Sequence, residues 1–342
     1  MVTPLLPIAD SHNDLLLGCM HRRERGVADP FGEDWLAGLR AGGVVFQVLP
    51  IFTEEQFIGE AALRRTLEII SLAREIADRH IDDVAIVECA ADIDQIIASG
   101  RIALLIALEG AEPIGSSLSI IETFWNLGVR MASLTWNRRT MMADGIGETD
   151  TGGRLSSLGV EAVQEMNRLG MVVDISHLSA PGVAHLSEVA TRPFVATHSS
   201  CRALCDHPRN LTDDQIGLVA DSGGFVAVNA FGAFVSPSNP TVDRFIDHLE
   251  HAAAVIGGRR VAIGADFIYD LFRMVDPVLG RQLLVNPENL PMIADLKAPA
   301  DYPNLARPLI SRLGSEQAVH IASENMLDFF RANLPCQPAH SQ

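Results

Sequence analysis

Residues of the kinds that bind metal ions recur along the chain, each directly after an apolar run. The first run leads into D-S-H-N-D, which contains His12 and Asp14, and later runs lead into Glu109, His177 and His198. Imidazole nitrogens and carboxylate oxygens are ligands that Zn²⁺ accepts readily in proteins. We therefore expect these five residues to hold zinc-like ions, provided that the fold brings them to one place.

The spacing of these residues favours two ions rather than one. Side chains two residues apart lie on the same side of an extended strand, so His12 and Asp14 can reach one ion. Glu109 follows the apolar run A-L-L-I-A-L, where an unpaired carboxylate is costly to bury. Its two oxygens make it the natural bridge. Ions about 3.5–4 Å apart can share a hydroxide that is nucleophilic at neutral pH, which gives Glu109 a catalytic role.

Three further residues with a polar group in the side chain end apolar runs in the same way. Trp136 and Asn137 end the run L-T-W-N, and Asp266 ends the run G-A-D-F. We expect Asp266 to act as a general acid or base that moves a proton between water and the leaving group. Taken singly, each of these residues is also compatible with packing or a turn. Their recurrence after successive runs favours one shared site.

The elements that must position these residues alternate between short apolar runs and amphipathic stretches. Most runs are continuously apolar, as strands buried on both faces of a parallel sheet are. We predict eight strands at residues 8–12, 44–52, 103–109, 129–136, 171–177, 194–198, 224–229 and 261–266. Helices are predicted at 60–80, 155–169, 179–190 and 211–222, with Ser179 as the N-cap of the third.

This alternation predicts a closed (β/α)₈ TIM barrel, an α/β fold whose active sites lie at the carboxyl ends of the strands. An open doubly wound sheet is the alternative, but no G-x-G-x-x-G follows the first strand. The 342 residues suit one barrel domain over residues 1–342. We also expect a small extra strand at 84–88 and a long loop over the barrel mouth at 267–301.

Composition excludes several classes of partner. The net charge of −17, from 43 acidic and 26 basic residues, disfavours nucleic-acid binding. No signal peptide, membrane span or lipid-anchor tail is predicted, so we expect a cytoplasmic protein without membrane contact. Five scattered cysteines favour a reducing compartment over a disulfide framework, and Cys201 and Cys205 are expected to be ordinary packing residues.

In combination, the motifs resemble those of the membrane dipeptidase (renal dipeptidase) family, peptidase family M19, among the amidohydrolase-like metal barrels. The pieces that carry the resemblance occur in order from residue 10 to about residue 267. They are D-S-H-N-D at 10–14, L-E-G at 108–110, D-I-S-H-L-S at 174–179, T-H-S-S-C-R-A at 197–203, R-N-L-T-D-D at 209–214 and G-A-D-F at 264–267.

The resemblance implies two zinc ions per chain. It assigns His12 and Asp14 to the first ion and His177 and His198 to the second, with Glu109 as the bridge.

The resemblance also assigns the residues that touch the substrate. It implies that Asp266 is the catalytic aspartate and contacts the substrate. It implies that Arg209 binds the substrate carboxylate, for which an arginine fork is well suited. Trp136 stands where the animal enzymes have a substrate-binding histidine, and we expect both Trp136 and Asn137 to line the substrate pocket.

Two other segments depart from the family. Ile268 and Tyr269 follow Asp266 where the family usually has Asp-Gly, and Ser323 to Asn325 read S-E-N where G-x-N is usual. We expect both segments to flank the barrel mouth and to alter the fit of the substrate.

Together with the candidate ligands, the resemblance implies a zinc dipeptidase whose substrates are dipeptides with a free carboxylate, including dipeptides with a D-residue at the carboxyl end. A metal-dependent amidase or lactonase is the main alternative, because the pocket around Trp136 differs from that of the family. A non-catalytic barrel is disfavoured, since all five ligands are present. The resemblance also implies that the chain can form a homodimer.

Overall fold

The computed structural model describes residues 5–269, 271 and 291–337. Within these residues all paired strands run parallel. In chain order the strands are β1 Ile8–Asp10, β2 Val44–Phe52, β3 Val84–Ile86, β4 Ile102–Glu109, β5 Val129–Ser133, β6 Val172–Asp174, β7 Phe194–Val195, β8 Val226–Val228 and β9 Val261–Ile263.

Helices connect the strands. They span Leu15–Glu24, Pro30–Asp34, Leu36–Ala41, Glu60–Arg79, Ala90–Ala98, Ser119–Asn126, Ser157–Leu169, Ala180–Val189, Asp213–Ser222, Gly232–Val235, Val242–Ile256, Tyr302–Leu313, Ser315–Val319 and Asn325–Asn333. Short 3₁₀ turns lie at Ile146–Thr151, Gly258–Arg260 and Pro299–Asp301, and a π turn lies at His320–Glu324. The predicted cap is confirmed, because the Ser179 side chain accepts a hydrogen bond from the N–H of Gly182.

The strands close into a (β/α)₈ barrel, which confirms the predicted fold class. Their order is β7-β6-β5-β4-β2-β1-β9-β8. The ring closes where Ala196, directly after β7, pairs with Val226 of β8. Ala196 receives a hydrogen bond from the N–H of Ala227 (2.8 Å) and donates one to Phe225 (3.0 Å). The predicted extra strand is present as β3, which pairs with β4 outside the ring.

The barrel interior is apolar up to the level of its mouth. Alternate residues of β4, including Leu105 and Ala107, belong to the inner cluster. The last helix closes the amino end of the barrel, where Phe330 stacks on Phe46 with ring centroids 5.4 Å apart. By the two-residue period of a strand, Glu109 is the next inward-facing residue of β4. It therefore projects into the barrel at the mouth.

The S-E-N segment lies at the opposite end of the barrel from the mouth. Asn325 Nδ2 donates to the carbonyl oxygens of Gly258 and Val261, each at 2.7 Å, and Val261 is the first residue of β9. The expectation that Ser323 to Asn325 flank the mouth is therefore wrong. Asn325 instead ties the last helical segment to the start of a strand.

Two cysteines form a disulfide bond between Cys89 and Cys336, 247 residues apart in the chain. The expectation of unpaired cysteines is wrong for this pair, because such a separation leaves no spacing signal in the sequence. Cys19, Cys201 and Cys205 are free and buried, as expected of packing residues.

The predicted mouth loop at 267–301 lies partly outside the described residues, which omit residues 270 and 272–290. For those residues it stays a prediction. Among the helices that the structure describes, none has the length and apolar character needed to cross a membrane.

Candidate active site

The five predicted metal ligands meet at the mouth of the barrel. The Nε2 atoms of His12, His177 and His198 lie 3.7, 2.9 and 3.6 Å from Glu109 Oε1. Asp14 Oδ2 lies 3.8 Å from His12 Nε2. Each of the five residues is at most 8% exposed. The structure thus places all five within reach of shared ions.

Two triads of ligand atoms have the compactness that a metal ion requires. One consists of His12, Glu109 and His198, and the other of His12, Asp14 and Asp266, with ligand atoms in each lying within 4.8 Å of one another. The second triad shows that Asp266 can also reach an ion bound at His12.

Backbone conformation aims two of these side chains at the site. His177 (φ 71°) and Asp266 (φ 55°) are the non-glycine residues with positive φ among those that the structure describes. This conformation is strained for most side chains and persists only where the surroundings enforce it. The N–H of Asp266 donates to the carbonyl of His12 (3.0 Å), and Asn229 Nδ2 donates to Asp266 Oδ2 (2.9 Å).

Asp10 is a buried carboxylate that sequence reasoning missed. Asp10 Oδ1 accepts the N–H groups of His12 and Ala265, each at 3.1 Å, and so joins the turns after β1 and β9. Asp174 has the same relation to the turns after β6 and β7, because its Oδ1 accepts the backbone N–H groups of Ser176 and Thr197. The available signal was a carboxylate two or three residues before a ligand histidine, in D-S-H and D-I-S-H.

The histidines of the site differ in charge. Burial lowers the pKa of His12, but the carboxylates of Glu109 and Asp14 outweigh it and raise that pKa to about 10. Burial, together with the nearby charges of Arg209 and His12, holds the pKa values of His177 and His198 well below their usual range. Two of the three imidazoles are therefore neutral, as metal ligands must be.

The negative charges of the buried carboxylates at the site are not fully compensated by nearby positive charges. Burial raises the pKa of Glu109 well above its usual range even though His12 opposes the shift, and Asp14 and Asp266 raise it further. Burial also raises the pKa of Asp266. Among the described residues, Asp14 Oδ1 is buried without a hydrogen-bond partner.

A divalent cation fits this arrangement. The Nε2 atoms of His177 and His198 are only 2.9 Å apart, and with both rings neutral they need a proton or a cation between them. The donor set of imidazole nitrogens and carboxylate oxygens suits Zn²⁺. An ion would also satisfy Asp14 Oδ1 and compensate the buried carboxylates.

The predicted substrate residues surround this cluster. Arg209 is 7% exposed, and its Nη2 lies 3.1 Å from His177 Nε2 and 3.3 Å from the carbonyl oxygen of His198. Arg209 Nε has no hydrogen-bond partner among the described residues, so it can still donate to a ligand.

Trp136 and Asn137 occupy different positions at the site. The Trp136 ring lies 5.8 Å from the ring of His177 and 5.0 Å from that of Phe52. It is half-buried and packs against an apolar cluster that includes Leu17. Asn137 Oδ1 lies 2.7 Å from His177 Nδ1. Asn137 therefore contacts His177, a predicted metal ligand, while Trp136 forms an apolar wall beside it.

Comparison with known proteins decides the family. The model of the membrane dipeptidase family, peptidase family M19, matches residues 2–276. The chain belongs to this family. It is 30% identical to human dipeptidase 3 over 339 residues, which is 95% of this chain and 64% of that protein. It is 32% identical to dipeptidase verJ of Clonostachys rogersoniana over 207 residues, 60% of this chain and 53% of the relative. The chain thus spans between half and two thirds of these relatives.

Solved structures support the fold. A metallopeptidase from Rhodobacter sphaeroides, solved with a phosphinate mimic of the dipeptide L-Ala-D-Ala, has a TM-score of 0.84 to this M19 family member. The identity is 22%, and the match covers 96% of this chain and 100% of that one. The barrel is therefore shared over its whole length.

Proposed function

We propose that this M19 family member is a dipeptidase that depends on two zinc ions. The observation that carries the proposal is the convergence of the five expected ligands at the barrel mouth, within a family of dipeptidases. There the three histidines lie close to Glu109, and Asp14 lies beside His12. His12 and Asp14 would hold one ion and His177 and His198 the other, with Glu109 between them. When bound, such ions supply a hydroxide at neutral pH and polarise a carbonyl group.

Asp266 is the proposed general acid and base. Its raised pKa brings the carboxyl closer to neutral pH, where a group exchanges protons most effectively. Asn229 fixes one of its oxygens, and the strained backbone aims the carboxyl at the ligands of the first ion. Asp266 can therefore take a proton from the attacking water and deliver it to the leaving amine.

Arg209 and Trp136 are the proposed substrate contacts. The buried guanidinium of Arg209, with an unpartnered Nε, suits the free carboxylate of a dipeptide. Trp136 offers an apolar wall to a substrate side chain. Asn137 helps to shape this pocket by holding the His177 ring in place through a hydrogen bond to Nδ1. The L-Ala-D-Ala mimic bound by the Rhodobacter sphaeroides relative is the reason to include substrates with a carboxyl-terminal D-residue.

The chemistry of Trp136 also favours a second candidate. An indole has no imidazole nitrogen to offer a substrate, so the pocket is compatible with a different small acyl substrate. A metal-dependent amidase or lactonase is that candidate. Cytoplasmic location and homodimer formation stay predictions from the sequence.

A substrate panel separates the two functions. Purified protein with zinc is assayed on L,L and L,D dipeptides, on the same dipeptides with an amidated carboxyl end, on an N-acyl amide and on a lactone. We expect the free dipeptides to be hydrolysed, and the amidated ones to have a lower kcat/KM because Arg209 loses its charged partner. In Arg209→Met this difference should vanish. Turnover of the amide or lactone with none of any dipeptide would overturn the proposal.

A further inference from the structure

The two ring nitrogens of His198 have different surroundings. His198 is 1% exposed. Its Nε2 faces Glu109 and His177, whereas its Nδ1 lies 2.8 Å from the hydroxyl oxygen of Thr197. A neutral imidazole carries its proton on one nitrogen and a lone pair on the other. His198 can therefore offer Nε2 to a metal ion only when Nδ1 holds the proton.

The hydroxyl proton of Thr197 already has an acceptor. Thr197 Oγ1 lies 2.5 Å from Asp174 Oδ2, and an ionised carboxylate can only accept. The other oxygen, Asp174 Oδ1, accepts the backbone N–H groups of Ser176 and Thr197, each at 3.0 Å. The threonine proton consequently points at Asp174, and the lone pairs of Oγ1 face His198.

A nearby hydroxyl does not change this conclusion. Ser176 Oγ lies 3.4 Å from Thr197 Oγ1 and accepts the backbone N–H of His198 at 3.2 Å. Since the only proton of the threonine hydroxyl is used by Asp174, Ser176 can act toward Thr197 only as a donor.

We propose that Thr197, oriented by Asp174, is a positioning residue that fixes the His198 proton on Nδ1 and turns the Nε2 lone pair toward the metal centre. Metal-binding histidines commonly donate their outer N–H directly to a carboxylate. Here a threonine hydroxyl stands between the two. The inference rests on the proposed metal centre, and it does not depend on which substrate is hydrolysed.

The Nδ1 proton of His177 is also fixed by an outer hydrogen-bond partner, in this case a single amide oxygen. Its Nδ1 lies 2.7 Å from Asn137 Oδ1, and its Nε2 lies 3.1 Å from Arg209 Nη2, which can only donate. Nδ1 therefore carries the proton in His177 as well. The two histidines assigned to the second ion are thus held in the same tautomer by different outer partners.

The hydrogen-bonded series from Asp174 through Thr197 to His198 is called the relay. Substitutions of Thr197 test the relay, with zinc affinity rather than activity as the measured quantity. Thr197→Val keeps the shape but removes the acceptor. We expect it to weaken binding of one of the two zinc ions by about 10–100-fold, the usual effect of losing an outer-shell partner. Thr197→Ser restores the hydroxyl and should bind as wild type. Zinc affinity is measured by competition with a chelating dye.

A change at Asp174 reverses the direction of the relay. In Asp174→Asn the amide oxygen stays with the two backbone N–H groups, so the amide nitrogen faces Thr197 and donates to it. The threonine proton then turns toward His198 Nδ1 and favours the wrong tautomer. We expect the same 10–100-fold weakening as in Thr197→Val.

Thr53→Val is the matched control. Thr53 is 3% exposed, and its hydroxyl lies 3.2 Å from that of Thr66, so the same substitution removes a buried hydroxyl that contacts no ligand. It should leave both zinc affinities unchanged. Wild-type affinity for both ions in Thr197→Val would overturn the relay.

A measurement on the wild type keeps the test independent of whether the variants fold. In zinc-loaded protein with ¹⁵N-labelled histidine, NMR should show His198 Nδ1 bonded to hydrogen and Nε2 bound to metal. The reverse assignment would overturn the proposal. Wild-type protein that binds no zinc would overturn the metal centre and this inference together. A third outcome is possible: the wild type binds two zinc ions but hydrolyses no dipeptide, and Thr197→Val binds zinc more weakly than the wild type. This outcome would support the relay and overturn only the proposed substrate.

Discussion

Within the described part of the chain, two buried clusters of charged side chains differ in how their charges are compensated. The first, here called the closed cluster, consists of His21, Glu54 and Arg65, with Glu24 at its edge. Arg65 Nε donates to Glu54 Oε2 at 3.0 Å, and His21 Nε2 lies 3.0 Å from Glu54 Oε1. Burial alone raises the pKa of Glu54, but its contacts with His21 and Arg65 lower that pKa to about 2.

The second, the open cluster, is the site around Glu109. It also combines carboxylates, imidazoles and an arginine, yet burial and its acidic neighbours raise the pKa of Glu109 well above its usual range. In the closed cluster Arg65 compensates the charge of the Glu54 carboxylate, whereas the Glu109 carboxylate of the open cluster lacks sufficient compensation. Buried charge alone therefore does not identify a functional site. Incomplete compensation does, because it indicates where a cation from outside belongs.

The largest expected effect is on catalysis, at the open cluster. Asp266→Asn removes the proposed proton carrier, and we expect kcat for a dipeptide to fall by about 10²–10⁴-fold. Metal content, measured by elemental analysis, should remain that of the wild type. Loss of an ion in this variant would contradict a purely catalytic role and make Asp266 a ligand of the first ion.

The next effect is on stability, at the closed cluster. Glu54→Gln leaves Arg65 buried without its main partner, and we expect the free energy of unfolding in urea to drop by about 3–5 kcal/mol. The control is Glu75→Gln, which removes a surface partner of Arg23 and Arg79 and should cost under about 1 kcal/mol. Equal losses in the two variants would mean that the closed cluster is not a distinct stabilising unit.

The pH dependence of stability gives a smaller and more specific signal. The pKa of Glu54 is lowered on folding from 4.5 to about 2, so the folded state favours the charged form. Its contribution is complete above pH 4.5 and is lost as the pH falls toward 2. The shift corresponds to about 3 kcal/mol. The difference in unfolding free energy between wild type and Glu54→Gln should therefore shrink over this range. A difference independent of pH would contradict the assignment.

The fold could be predicted largely because its strands are continuous apolar runs. β2 has the predicted bounds, 44–52. The runs at 171–177 and 194–198 proved longer than β6 and β7, which end at Asp174 and Val195. The backbone leaves the extended conformation before His177 (φ 71°), and an apolar pattern carries no information about such a turn.

The sequence predicted that the candidate ligands would lie at one mouth, but it did not predict the residues that hold them in place. The candidate ligands follow the ends of strands, where the local sequence fixes their position. The supports depend on pairs that are distant in the chain. Asp174 meets Thr197 23 residues away, and Asn229 meets Asp266 37 residues away. The Cys89–Cys336 disulfide and the place of Asn325 were missed for the same reason.

Metal content tests the central claim most directly, since the open cluster is proposed to need two cations and the closed cluster none. Zinc per chain is measured by elemental analysis of purified wild type, Glu109→Ala and Glu54→Gln. We predict about two zinc ions in the wild type, a sharp fall in Glu109→Ala because the bridging carboxylate serves both ions, and no change in folded Glu54→Gln. One ion or none in the wild type, or two ions retained in Glu109→Ala, would contradict the account.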